Sequence, residues 1–246
     1  MELTKLKLEY ELCEKHNNAM PAIIVAAGCS SRMNGVNKQT ALLCGIPVLA
    51  RTLLAFENSG AVSNIILVTR SNDMLDAQIL AERYGISKLT DIICGGDTRE
   101  ESVARGIAVL KKNDEFVLIH DGARPLVTAE IISGVANALK SCSAVTCAVP
   151  LKDTVKRVDK NGIVTETPDR SSLFAVQTPQ GVRVEEFKTA IEKASRDLTN
   201  FTDDMSVMEA AGYTVHITNG SYKNIKITTP EDIMLAEYLL NGENKE

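Results

Sequence analysis

Directly after the apolar run Ala22 to Ala27, the chain places Gly28-Cys29-Ser30-Ser31-Arg32-Met33 and then Asn37-Lys38-Gln39. Small residues let backbone N–H groups approach an anion closely, and Arg32 and Lys38 bring charge that neutralises a polyphosphate. A plain strand-to-helix turn asks for the same small residues, so spacing alone leaves a phosphate cradle and a turn level. The loop is neither G-x-G-x-x-G nor G-x-x-x-x-G-K-[ST], which weighs against a dinucleotide dehydrogenase and a Walker-type ATPase.

Other clusters carry chemistry only in company. Gly95-Gly96-Asp97-Thr98-Arg99-Glu100-Glu101-Ser102 reads first as a tight turn opening a helix, with Thr98 and Glu101 spaced as a capping box. His120-Asp121-Gly122-Ala123-Arg124 follows an apolar strand, where Asp121 could hold Mg²⁺ by one oxygen while phosphate oxygens supply the rest. An unaccompanied Asp in that position is more often a cap. Thr154 and Arg170 fall on a charged stretch that reads as a solvated face, Thr202-Asp203-Asp204 as a helix N-cap, and Lys226 as a solvent-facing strand lysine.

The elements that position these residues follow from hydrophobic pattern. Ala22–Ala27 is continuously apolar, as in a strand buried on both faces, and similar runs recur at 64–68, 91–94, 115–119 and 144–149. Helical spacing lies between them at about 47–59, 72–84, 98–111 and 128–140. This alternation predicts an α/β fold, an open and mostly parallel sheet flanked by helices, with ligands collecting beyond the carboxyl ends of the strands. After Pro150 the pattern breaks, and two β-prone strips around Lys160-Asn161-Gly162 predict a hairpin arm at about 151–170. A lone hairpin is marginal in water, so a second subunit is its natural support. Helices near 183–195 and 204–211, a strand near 213–218 and a last helix from Pro230, capped by Thr229, complete the chain. The expected organisation is an extension at 1–20 and one domain at 21–241 with the arm inserted.

With 246 residues, 44% of them hydrophobic, the chain can bury one large core. A net charge of -5 speaks against a nucleic-acid polymer as partner. No stretch approaches a membrane span, and residues 1–20 lack the apolar region of a secretory signal, so a cytoplasmic location is expected. The six cysteines form no C-x-x-C pair and read as reduced thiols, and three widely spaced histidines give no zinc site. Each histidine reads as an ordinary surface or strand residue.

Taken together, the clusters resemble the 2-C-methyl-D-erythritol 4-phosphate cytidylyltransferase family over about Pro21 to Leu240. The first loop is similar to A-A-G-x-G-x-R-M…P-K-Q, with Ser30 and Asn37 in place of a glycine and a proline; the others match G-G-x-x-R-x-x-S-V, H-D-A-A-R-P, with Gly122 for alanine, and N-I-K-[VI]-T. The resemblance implies a Rossmann-like, glycosyltransferase-A-like sheet and a homodimer joined through the arm. It implies transfer of CMP from CTP to a small sugar-alcohol phosphate with Mg²⁺ on Asp121. Arg32, Lys38 and Lys226 would be catalytic, and Ala26, Ala27, Gly28, Gly96, Asp97, Arg99, Ser102 and Gly122 would hold CTP. Arg124 and Thr202, with Thr154 and Arg170 acting on the neighbouring subunit's site, would hold the acceptor. A ribitol-5-phosphate cytidylyltransferase on the same scaffold, and a non-catalytic module that binds CTP, are the competing readings.

Overall fold

In the computed structural model, described over residues 19–28, 38–194 and 201–243, strand and helix alternate as the apolar runs require. The first half runs β1 (Met20–Val25), the short β2 (Leu42–Leu43) and β3 (Ile46–Pro47), α1 (Val48–Glu57), β4 (Val62–Thr69), α2 (Met74–Tyr84), β5 (Leu89–Cys94), α3 (Arg99–Ala108), β6 (Phe116–Asp121), α4 (Ala129–Leu139) and β7 (Ala144–Pro150). The arm follows as β8 (Arg157–Val158) and β9 (Val164–Glu166), and then come β10 (Phe174–Arg183), α5 (Val184–Ala194), α6 (Asp204–Ala210), β11 (Val215–Asn219) and α7 (Pro230–Glu243).

Among the described residues, seven strands form one sheet in the order β11-β7-β10-β6-β1-β4-β5. Neighbours are parallel except where β10 pairs antiparallel with both β6 and β7. This is the mostly parallel, Rossmann-like α/β sheet that the sequence predicts. The period-2 alternation of β1 divides the core: Ala22 and Ile24 face α1 and α4, whereas Ile23 and Val25 face α3, α5 and α6. A third cluster, with Leu43, Val48, Ile227 and Ala236, anchors α7.

Three local departures from the sequence reading have physical causes. The strand β10, central to the sheet, was not anticipated because Pro179 normally argues against an interior strand. Its pairing with β7 is interrupted between Val176 and Gln180, where a missing N–H breaks no regular ladder. The Thr98–Glu101 cap is half reciprocal: Thr98 Oγ1 accepts from Glu101 N–H at 3.1 Å, but the Glu101 carboxylate accepts from Asp97 N–H at 2.8 Å. The expected cap at Thr202-Asp203-Asp204 is present, with Asp203 as the capping residue of α6 in a capping box with Ser206. Residues 224–228, expected as a strand, form none; the segment is pinned by Ile227 N–H donating to Ala123 O at 2.8 Å.

The arm projects with Val158, Ile163 and Val164 each more than half exposed. Its base is braced by Lys152 Nζ over the Tyr222 ring at 3.8 Å, and Tyr222 Oη donates to Pro150 O at 2.7 Å. The expected extension at 1–20 lies almost wholly outside the described residues.

Helix α3 packs so closely on β1 that a Cβ on Gly106 would meet Ile23 Cγ2 at 2.8 Å and Cδ1 at 3.1 Å. Alanine is the better helix former by about 1 kcal/mol, but overpacking a core costs about 1–3 kcal/mol. Gly106→Ala is therefore expected to destabilise the protein, read as a lower urea midpoint at unchanged m-value. A variant as stable as the native chain would contradict this packing.

Candidate active site

Two cavities open at the carboxyl ends of the central strands, of about 360 Å³ and 450 Å³, and share Arg99, Asp121 and Lys226 as a common wall. The smaller is lined by Ala27, Gly28, Lys38, Gly96, Asp97 and Ser102, among others. The larger takes in Arg124, Gln177, Thr178, Thr202 and the start of α6. Ala27, just after β1, and the Gly95-Gly96 turn come together because Gly95 lacks a side chain: a Cβ there would lie 2.5 Å from Ala27 Cβ and 2.7 Å from Ser102 Oγ. Ser102 Oγ then accepts from Gly96 N–H at 3.1 Å and donates to Thr98 O at 2.8 Å, fixing the turn on α3.

The shared wall is an ion cluster built from segments remote in sequence. Asp121, its side chain 10% exposed, receives Arg99 Nε on Oδ1 at 3.2 Å and Lys226 Nζ on Oδ2 at 2.8 Å, with Arg124 Nε 3.6 Å from Oδ2. Burial alone would raise its pKa; the Arg99, Lys226 and Arg124 charges outweigh burial and hold the carboxyl well below the ordinary carboxylate range. Arg99 turns its other edge to Asp204, with Nη1 to Oδ1 at 3.0 Å and Nη2 to Oδ2 at 2.8 Å. Burial disfavours its charge, but the two carboxylates more than compensate and keep the guanidinium protonated.

Strand β10 holds the wall together. Gln180 accepts from Asp204 N–H at 3.1 Å and donates to Asp203 Oδ2 at 2.7 Å, setting the start of α6. Gln177 donates to Ser221 O at 2.8 Å, and Asn224 Nδ2 donates to Thr178 O at 2.9 Å, setting the segment that carries Lys226. Arg124 Nη1 donates to Asn224 O at 2.7 Å. His120 is fully buried, and burial pushes its pKa down to about 3, so the imidazole is neutral.

The structure thus brings Ala27, Gly28, Lys38, Gly96, Asp97, Arg99, Ser102, Asp121, Arg124, Thr202 and Lys226 to the two cavities. Arg32 lies outside the described residues. Ala26 and Gly122 line neither cavity; Gly122 packs with a Cβ position 3.2 Å from that of Ala26 and 3.3 Å from Leu49 Cδ1. Thr154 and Arg170 are exposed at the arm and line neither cavity, and Arg170 Nη1 donates to Lys152 O at 2.6 Å. Sequence reasoning gave no role to Gln177, Thr178 or Gln180 and read Asp204 only within a helix cap; for the first three the signal was the Gln177-Thr178-Pro179-Gln180 run after Val176, polar residues where a buried strand would be apolar.

The family profile described as IspD: 2-C-methyl-D-erythritol 4-phosphate cytidylyltransferase matches residues 20–242. The chain belongs to this family. It is 43% identical over 222 residues to the 2-C-methyl-D-erythritol 4-phosphate cytidylyltransferase of Alkaliphilus metalliredigens, covering 89% of this chain and 92% of that one. The Halalkalibacterium halodurans member is 44% identical over 219 residues, with 89% and 95% covered. Among solved structures, the 4-diphosphocytidyl-2C-methyl-D-erythritol synthase of Anaerococcus prevotii superposes with a TM-score of 0.80 at 34% identity, covering 91% of this chain and 98% of that one. The Thermus thermophilus family member superposes at 0.74 with 27% identity, covering 91% and 99%.

Because Asp204 is buried against a single bidentate partner, Arg99→Met is expected to cost about 3–5 kcal/mol by stranding that carboxylate. The double variant Arg99→Met/Asp204→Asn is expected to recover much of the loss in urea unfolding. A double variant whose loss equals the sum of the separate Arg99→Met and Asp204→Asn losses would show that the pair is not coupled.

Proposed function

We propose that the paired cavities are the two substrate pockets of the family's reaction, which this chain performs: transfer of CMP from CTP to 2-C-methyl-D-erythritol 4-phosphate, releasing pyrophosphate. The chain is a nucleotidyltransferase. The observation that carries the assignment is the shared wall, where Arg99, Asp121 and Lys226 face both cavities at once. The cavity with Gly28 and Lys38 takes the nucleotide, and the one with Arg124 and Thr202 takes the acceptor. Family membership favours the methylerythritol acceptor over ribitol phosphate, and a pocket for a second substrate favours an enzyme over a module that only binds CTP.

The acceptor's phosphate oxygen attacks the α-phosphorus of CTP in line. A P–O bond forms there as the bond to the bridging oxygen breaks, and pyrophosphate leaves with that electron pair. The nucleophile is already an anion, so no general base is required, and the neutral, buried His120 is not asked to be one. Lys38, Lys226 and Arg32 offset the repulsion between two anions and the charge that builds in the transition state. The donor set suits Mg²⁺: one carboxylate, Asp121, lines both cavities, and this ion is commonly held by one or two carboxylates plus substrate phosphates. When bound there it would neutralise phosphate charge.

The exposed apolar residues of the arm fit contact with a second copy. In that arrangement Thr154 and Arg170, which reach neither cavity of their own chain, serve the neighbour's acceptor pocket. No described helix is long and apolar enough to cross a membrane, which accords with a cytoplasmic enzyme.

Lys38→Ala is expected to lower kcat by about 100- to 1000-fold in a pyrophosphate-release assay with the methylerythritol acceptor, a typical cost for a lost transition-state donor. Mixed Lys38→Ala and Arg170→Ala subunits are expected to regain turnover, since one site of the heterodimer is then intact. Near-native turnover by Lys38→Ala would overturn the phosphate assignment, and a mixture as inactive as its parents would overturn site sharing.

A further inference from the structure

We infer that His120 is a positioning residue for the acceptor pocket, acting through Arg124 by way of one fixed tautomer. The inference rests on the acceptor role given above to Arg124. Thr178 Oγ1 accepts from Asp121 N–H at 3.1 Å, so its single proton is available for His120 Nδ1, 2.9 Å away. Nε2 lies 3.2 Å from Arg124 O, an atom that can only accept, so the geometry places the ring proton of this fully buried imidazole on Nε2 and leaves Nδ1 to accept from the Thr178 hydroxyl. Ring orientation is fixed further by Phe56, whose centroid is 4.8 Å from that of His120.

Arg124 is consequently gripped at three points. Its carbonyl takes the imidazole N–H, its own N–H donates to Asp121 O at 3.0 Å, and its Nη1 donates to Asn224 O at 2.7 Å. Asn224 in turn donates to the carbonyl of Thr178, the residue that fixes the imidazole, so the chain of bonds closes on itself. Networks of this kind rigidify because no member can move without stranding a buried partner. The backbone of Arg124 would lose its register if Nε2–H were deleted, and the guanidinium would lose its aim into the larger cavity.

A role in packing alone and a role in hydrogen bonding give different outcomes. His120→Phe keeps an aromatic ring against Phe56 but carries no N–H, whereas His120→Gln retains an amide donor of similar reach. His120→Phe is expected to raise the KM for the acceptor about tenfold, equivalent to about 1.4 kcal/mol, while the KM for CTP changes less than about threefold. His120→Gln is expected to keep the acceptor KM within about threefold of native. Equal rises in both KM values, or a His120→Phe enzyme that matches the native one, would overturn the inference.

Nitrogen-15 NMR of the native, metal-free protein tests the tautomer without any assay and survives a variant that fails to fold. The chain has three histidines, and the ring signals absent from His120→Gln, or from His120→Phe if that variant alone folds, belong to His120. A proton on Nε2 with a bare Nδ1 supports the inference, and a proton on Nδ1 overturns it. Absence of transfer to the acceptor by the native chain would instead count against the functional reading, leaving the tautomer result to stand separately.

Discussion

Asp121 is the point on which the site turns, because a carboxylate withdrawn from water has to be met by positive charge, and it draws Arg99, Arg124 and Lys226 to one place. These cations come from the start of α3, the loop after β6 and the segment before α7. Asp204 takes a second share of Arg99. Three cations against two carboxylates leave one unit of positive charge at the junction of the cavities, and Lys38 stands in the smaller cavity nearby. Such a cluster is held together without being neutral, which suits the polyphosphate of the proposed function.

The fold supplies the scaffold in two layers of decision. The parallel half, β5-β4-β1-β6, sends Ala27 and Gly28, the Gly95-Gly96 turn and Asp121 to the same end of the sheet, as parallel strands do. The antiparallel strand β10 then returns through the sheet beside β6 and carries Gln177, Thr178 and Gln180 to that end from the opposite direction. Its polar side chains hold α6 and the Lys226 segment. The second cavity exists because a strand running the other way brings these two elements over the ends of β6 and β7.

Much of this was legible in the sequence wherever local pattern and chemistry agreed. The continuous apolar runs of β1, β4, β6 and β7, too short for helices and set between turn residues, read as strands covered on both faces, and small or charged residues at their ends follow from that placement. Gly28, Lys38, Gly96 and Asp121 were therefore found by position as well as by type. What escaped was non-local. Pro179 conceals β10, since the interruption that accommodates it depends on the pairing with β7, which no local pattern records. The ties from Arg99 to Asp204, from Asn224 to Thr178 and from Gln180 to Asp203 join residues 105, 46 and 23 positions apart, and no periodicity encodes a contact of that range. His120 looked like an ordinary strand histidine, and it is in a strand; only the closed ring of bonds around it gives it a further part.

The central claim is that cations gathered on Asp121 form one wall of a nucleoside triphosphate site. Isothermal titration calorimetry of CTP with Mg²⁺ tests it most directly, comparing the native chain with Lys226→Met. Saturable binding at one site per chain is expected, weakened about tenfold or more in the variant, as loss of a charged contact of about 1.5–3 kcal/mol requires. A native chain that takes up no CTP, or a variant that binds it as tightly, would contradict the account.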